Sequence, residues 1–377
     1  MGEGSNLAVG LMVHSMAAVD SCPALPDRDH DHRAETMNSV KRFKGLVWPQ
    51  ERGLYPLAGF AVRWVALIYV LAVLVWLFMR MVSGEALGPV RFATSFHFWI
   101  GIGLLVIAGL LLKFVRRWAV AGVLLLGLLL LAPYMRQFSP FGVVPDVPVA
   151  LTVMSYNTYA RNDDPAAIAR VIAAAKPDIA LLQEVADPDA VLAALVPQFG
   201  EEKLHVLREP SMLLMIVSRY EMSPLPSLGS TQSAIVHVPQ GGVRVWNLHA
   251  PKTFGGPQKQ YEFVRELVAA LGKEVSGDIE PATLPRAVLA AGDFNATEQS
   301  ASYRYLNRYF GNAFARAGWG LGATFPAEGR RMSFLPSMIR IDHIFYKGPL
   351  VPLTAQVVAD SGGSDHYPVT AQFGWRN

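Results

Sequence analysis

The chain has 377 residues, 52% of them hydrophobic and only 17% charged, with a mean hydropathy of +0.28, which excludes a wholly soluble globular protein. Its single cysteine, Cys22, excludes an internal disulfide and any cysteine-based metal site. The net charge of +3 is uneven: 13 basic and 8 acidic residues lie before Asp146 and 20 basic and 22 acidic from there on, so the second half lacks the basic footprint of a tight non-specific nucleic-acid binder.

Residues 1–56 show no sustained periodicity and read as a cytoplasmic, partly disordered tail. The tract Asp27-Arg28-Asp29-His30-Asp31-His32-Arg33 has metal-ligand residue types, but a solvated tail is the plainer reading. Met37, followed by Lys41, Arg42 and Lys44, is an alternative start. Three apolar, nearly charge-free runs follow at Leu57–Met79, Phe92–Leu112 and Trp118–Met135. Each is long enough to span a bilayer, and three of them argue for a transmembrane domain over 57–136 rather than a signal peptide. Trp64, Trp76, Trp118 and Tyr134 near run ends suit an interfacial aromatic belt, and His97 fits the same belt. The short connection Lys113-Phe-Val-Arg116-Arg117 is strongly basic, as is the segment before the first run. Both place the N-terminus inside, and three crossings then put the rest of the chain on the extracytoplasmic, periplasmic side of an inner membrane. Midplane acidic residues of the kind that mark ion pathways are missing from the runs, which argues against transport.

A Pro-rich, extended linker is expected over 137–148. The remaining segment, 149–377, alternates strand and helix. Strands are predicted at Val149–Ser155, Asp178–Gln183, Met212–Ser218, Ala234–His237, Val243–Leu248, Ala287–Ala291, Ile339–Tyr346 and Val369–Phe373. Helices are predicted from Asp164-Pro165 to Ala175, at Pro188–Leu195, Pro257–Leu271 and Ser300–Tyr309. This order suggests an α/β domain with sheets packed face to face and helices outside.

Polar residues recur where these strands end: Asn157, Glu184, His249, Asp293 with Asn295, Asp342 with His343, and Asp365 with His366. The run Ala290-Ala291-Gly292-Asp293-Phe294-Asn295 is the centre of the set. A buried strand closed by Gly292 delivers a carboxylate and a carboxamide to the mouth of a sheet. Each residue alone has an ordinary structural reading, but order and flanking residues together are specific.

Asn157, Gln183-Glu184, Asn247-Leu248-His249, Gly292-Asp293-Phe294-Asn295, Asp342 and Ser364-Asp365-His366 together resemble the endonuclease/exonuclease/phosphatase superfamily, in particular its bacterial membrane-anchored members, over residues 149–375. The resemblance implies a four-layer α/β sandwich (DNase I-like) with the site at one edge of two packed sheets. It also implies a Mg²⁺- or Mn²⁺-dependent phosphoesterase, nuclease-like or phosphodiesterase-like. By resemblance Glu184 is the main metal ligand, supported by Asn157 and Asp365. Asp293 and His366 are the candidates to activate water, Asp342 orients His366, and Asn295 and His249 bind non-bridging phosphate oxygens. Glu209 is the candidate to orient His249, Thr324 lies near the substrate mouth, and Arg330 and Arg331 are phosphate contacts or solvated charges. Nucleic acid, a lipid headgroup and a soluble ester compete as substrate. A non-catalytic scaffold on the same fold is the reading of another class, and the completeness of the polar set argues against it.

Overall fold

The computed structural model describes residues 55–139, 146–200, 203–252, 257–275, 287–327 and 335–376. Gly59–Asn377 forms one compact unit. Cys22, the Asp/His tract, Met37, Arg330 and Arg331 lie outside the described residues.

The apolar runs are helical. Helices α1 (Tyr55–Ser83), α2 (Gly88–Ser95), α3 (His97–Leu111) and α4 (Arg117–Leu131) precede a 3-10 segment at Ala132–Phe138. Two of the helical stretches, Leu57–Ser83 and Arg117–Phe138, are long and apolar enough to cross a membrane. The middle run departs from expectation: α2 and α3 meet at 72°. The cause is local. Thr94 Oγ1 donates back to Val90 O (2.8 Å) and Ser95 Oγ to Arg91 O (3.2 Å), which weakens the helix's own ladder at the bend. Beyond it, α3 lies against both neighbours. Gly101 on α3 and Gly127 on α4 permit close approach, since a Cβ on Gly127 would stand 3.2 Å from Gly101 O. On the other side Tyr69 of α1 donates to Ile100 O (3.0 Å), and Ala66 packs in one cluster with Ala108.

The second half holds twelve strands among the described residues, β1 (Leu151–Asn157), β2 (Ile179–Gln183), β3 (His205–Glu209), β4 (Leu214–Ser218), β5 (Met222–Leu225), β6 (Thr231–Val238), β7 (Gly241–His249), β8 (Ala287–Asp293), β9 (Gly311–Asn312), β10 (Asp342–Lys347), β11 (Leu350–Val357) and β12 (Val369–Trp375). They form two six-stranded sheets, ordered β11-β12-β1-β2-β4-β3 and β5-β6-β7-β8-β10-β9. Helices α5 (Pro165–Ala175), α6 (Pro188–Leu195), α7 (Pro257–Val275), α8 (Ala301–Leu306) and α9 (Ala313–Ala317) complete the domain. The predicted starts of α5 and α6 are seen in detail. Asp164 and Asp187 cap Ala167 N (2.8 Å) and Ala190 N (2.9 Å), with a proline at the first position of each helix.

Side-chain parity explains both the core and the site. Val153, Ile179 and Leu181 of the first sheet meet Val243, Val245, Leu289, Ala291 and Ile344 of the second in one buried cluster. Burying each such side chain contributes ~1.5–3 kcal/mol. The alternate residues face outward: Met154, Tyr156 and Leu182 pack on α5 and α6, and Trp246, Leu248 and Ala290 on α7 and α8. The layers are therefore helix, sheet, sheet, helix, as the fold expectation requires. Two or four residues beyond the apolar inner positions, period two brings Asn157, Gln183, Asn247, His249 and Asp293 into the same gap at its edge. Strand β1 runs two residues further than predicted, so Asn157 is its last residue.

Candidate active site

Strand pairing assembles the centre. In the parallel β7/β8 pair His249 stands opposite Asp293, and in the antiparallel β8/β10 pair Asp293 stands opposite Asp342. Gly292 makes the first pairing possible: a Cβ there would collide with the backbone of Leu248. Across the gap, Asn157 pairs with Gln183 in β1/β2, and Glu184 follows at φ 53°. Tyr159 (64°) and Asn295 (48°) also adopt left-handed backbone conformations. Lys176 (44°) and Leu213 (54°) do the same elsewhere in the domain.

Glu184 and Asp293 converge on shared donors. Asn157 Nδ2 lies 3.3 Å from Glu184 Oε1 and 3.1 Å from Asp293 Oδ2, while its Oδ1 accepts Tyr159 N (3.0 Å). His249 Nε2 stands 3.5 Å from Glu184 Oε1 and 3.6 Å from Asp293 Oδ2. Burial pushes the Glu184 carboxyl up, but the Ala160 N–H (3.0 Å), His249, Asn157 and Lys252 outweigh it, and the group is held below its usual range. Asp293 goes the other way. Its complete burial, reinforced by Asp342, overcomes His366, His249 and the Asn295 N–H (2.8 Å), so its pKa is raised. Asp365 is also raised, by burial and by Glu184.

His366 Nδ1 bonds Asp342 Oδ2 at 2.9 Å, and its Nε2 faces Asp293 Oδ2 (3.8 Å) and Asp365 Oδ1 (4.0 Å). Burial alone would lower its pKa. Asp342, Asp293 and Asp365 reverse that and push it up to about 10, so the ring is an imidazolium at neutral pH.

Several supporting residues stood in the motifs quoted from the sequence without a role of their own. Gln183 Nε2 donates to Asn247 Oδ1 (2.7 Å), and Asn247 Nδ2 to Leu182 O (2.8 Å), a buried amide pair bridging the sheets beneath the site. Thr324 Oγ1 accepts the N–H groups of Ile341 (3.2 Å) and Asp342 (3.4 Å). Ser364 Oγ donates to Asn157 O (2.7 Å) and accepts His366 N (3.0 Å), locking β1 to the loop that carries the imidazole. Their signal in the sequence was adjacency: each lies within two residues of a site residue or, for Thr324, in the Thr-Phe-Pro run. Two expectations need correction. Glu209 sits on edge strand β3 and accepts Ser211 Oγ (2.8 Å); the carboxylates beside His249 are Glu184 and Asp293. His343, on the outward parity of β10, bonds Ala296 O (2.8 Å) among Phe294, Tyr303 and Phe345, and belongs to the outer core.

The donors fit a hard divalent cation. Glu184 and Asp293 share His249, and Asp293 and Asp365 share His366, so three carboxylates meet at one edge. Asp342 Oδ1 and His249 Nε2 are buried with no hydrogen-bond partner among the described residues. The tightest group of ligand-type atoms among them is Asp293, Asp342 and His366, all within 4.8 Å. Within that group Asp342 and His366 are joined by a hydrogen bond of 2.9 Å.

Residues 154–366 match the model of the Endonuclease/Exonuclease/phosphatase family. The chain belongs to this family. Its members are generally phosphoester hydrolases that use divalent metals. No curated protein sequence matches the chain. Similar solved structures include an endonuclease/exonuclease/phosphatase from Bacteroides vulgatus, at 17% identity and TM-score 0.48, covering 60% of this chain and 99% of that one. Truncated TDP2 of Caenorhabditis elegans is similar at 17% identity and TM-score 0.47, covering 59% and 97%. A family protein of Bacteroides thetaiotaomicron is similar at 19% and 0.46, covering 60% and 95%.

Proposed function

We propose that the protein is a membrane-anchored, divalent-metal-dependent phosphoesterase whose catalytic domain faces the extracytoplasmic side. The observation that carries the reading is the convergence of Glu184 and Asp293 on Asn157 and His249, with His366 held beside them by Asp342. Glu184 and Asp365 would hold Mg²⁺ or Mn²⁺, with Asn157 keeping Glu184 beside Asp293. When bound, the ion neutralises phosphoryl charge and stabilises the leaving oxyanion.

Asp293, with its raised proton affinity, orients the water and takes its proton. The His366 imidazolium, fixed by Asp342, lies within reach of the non-bridging oxygens where charge grows. Asn295 and His249 complete that cradle; one Asn295 amide hydrogen is already set by Ala250 O (2.9 Å). The water oxygen bonds to phosphorus, one ester P–O bond breaks, and the departing oxygen collects a proton from solvent.

The anchoring reading rests on the helices. Helix α3 lies beside α1 from His97 at Trp76 to Ala108 and Leu111 with Ala66, and beside α4 from Gly101 at Gly127 to Ala108 and Val120 in one cluster. It therefore traverses the same depth as both, which favours three crossings with α2 at the surface. The basic Lys113–Arg117 turn marks the cytoplasmic end.

The test is hydrolysis of bis-p-nitrophenyl phosphate by the full chain in detergent, with Mg²⁺, Mn²⁺ or EDTA, beside Glu184→Ala and His366→Ala. Turnover that EDTA and both substitutions abolish is expected. Turnover indifferent to EDTA and to Glu184→Ala overturns the metal assignment.

A further inference from the structure

The loops that build the catalytic edge are also the loops that rest on the membrane helices. Arg80, near the end of α1, donates to Gln299 O (2.7 Å) in the segment that leaves β8 after Asp293. Trp99, at the start of α3, donates to Met338 O (2.9 Å) in the segment that enters β10 at Asp342. Glu85 pairs with Arg304 at 3.8 Å. Gly320 N donates to Gln137 O (2.7 Å), and the neighbouring Trp319 meets Phe138 edge-on at 6.1 Å. Arg340 closes the chain of contacts, donating to Leu321 O (3.0 Å) and pairing with Glu298.

These contacts fix the depth of the site. Asp342 follows Met338 by four positions, so it lies within about 14 Å of the carbonyl held by Trp99. From Trp118 to Phe138 the last helix rises roughly 30 Å, the thickness of a hydrocarbon core. Phe138 then stands at the outer interface. Trp319, carried by the catalytic domain and 71% exposed, stands beside it, where an amphipathic indole is favoured. The domain itself, net −2, offers no basic field for a polyanion.

Resting on the phosphoesterase reading above, we infer that the substrate is a phosphodiester lipid headgroup of the outer leaflet, taken while its acyl chains remain in the bilayer. Water adds to phosphorus and one headgroup P–O bond breaks, giving an alcohol and a phosphomonoester. The arrangement holds the site at headgroup depth through two loops rather than on a free tether, so soluble polymers meet it only from the open side.

The experiment uses the full chain in detergent mixed micelles of phosphatidylglycerol or phosphatidylcholine with Mn²⁺, with bis-p-nitrophenyl phosphate and plasmid DNA as the other arms. Expected are a lipid kcat/KM at least tenfold above that for bis-p-nitrophenyl phosphate and a rate that follows the surface fraction of lipid at fixed bulk concentration. Trp319→Ala is expected to lower the ratio of lipid to soluble turnover severalfold. Metal-dependent turnover of bis-p-nitrophenyl phosphate with both lipids intact overturns the inference and leaves the phosphoesterase standing. Preferential cleavage of plasmid DNA does the same in favour of nucleic acid. Turnover of none of the three overturns both.

Discussion

The two sheets reach the catalytic edge with carboxylates of opposite character. Glu184, beyond β2, and Asp293, ending β8, are both buried, and burial is the largest influence on each. Glu184 stands among donors: a backbone N–H, an amide, an imidazole and a lysine. Asp293 shares its space with Asp342 and rises. Neighbours rather than burial therefore set the two carboxylates apart; on the proposed function, the first would seat a cation and the second would take a proton from water.

The strongest break in this contrast is Asp293→Asn. It keeps the shape and removes the proton acceptor, and a loss on the order of 10⁴-fold in kcat is expected, the upper end of what a general base supplies. Single-turnover hydrolysis of bis-p-nitrophenyl phosphate measures it; an unchanged kcat would move the base elsewhere. Glu184→Gln comes next, with about 10²–10³-fold lost in kcat/KM and a higher Mn²⁺ concentration for half-activity. Titration with Mn²⁺ separates the two parts, and an unshifted midpoint would remove Glu184 from the metal seat.

Asp342→Asn acts one step back. The Asp342 carboxylate is the first of the groups that lift His366 to about 10 against burial. The native rate should climb as pH rises through the raised Asp293 value and fall as the imidazolium is lost near pH 10. Without the Asp342 charge, His366 loses its proton more readily, so the alkaline limb moves to lower pH, with about 10–100-fold lost at neutrality. A full pH profile checks the direction, and a limb that stays in place would detach Asp342 from His366.

The sequence carried the middle of each sheet and missed the margins. Strands β3, β5, β9 and β11 were not predicted, and they are the four edge strands. Central strands are covered on both faces and read as apolar runs such as Ala287–Ala291. Edges have one open side and carry Pro224, Pro352, Arg208 and Glu209, residues that interior pairing would reject. The site was legible because its residues close the central strands, where period two fixes which way they face. The partner of His249 was not legible, because it depends on the register between β7 and β8 and on the packing of the two sheets.

His343 tests the same parity from the other side. One residue from Asp342, it faces the outer core rather than the gap, and burial followed by Arg340 lowers its pKa to about 3. His366, on the inward side, is raised. The unfolded chain protonates His343 near pH 6.5, and the native state resists until about pH 3. Between those values the unfolded state binds more protons, so stability falls as pH drops, by about 1.4 kcal/mol per pH unit for this one group. His343→Phe should flatten that acid limb while losing the hydrogen bond to Ala296 O, so the variant starts lower at pH 7.5 and falls less steeply toward pH 4. Thermal unfolding of the full chain in detergent across that range reads both effects. Parallel curves for the two proteins would mean that the ring at 343 takes up protons in the folded state as freely as in the unfolded one, which a side chain sealed between Phe294, Tyr303 and Phe345 is not built to do.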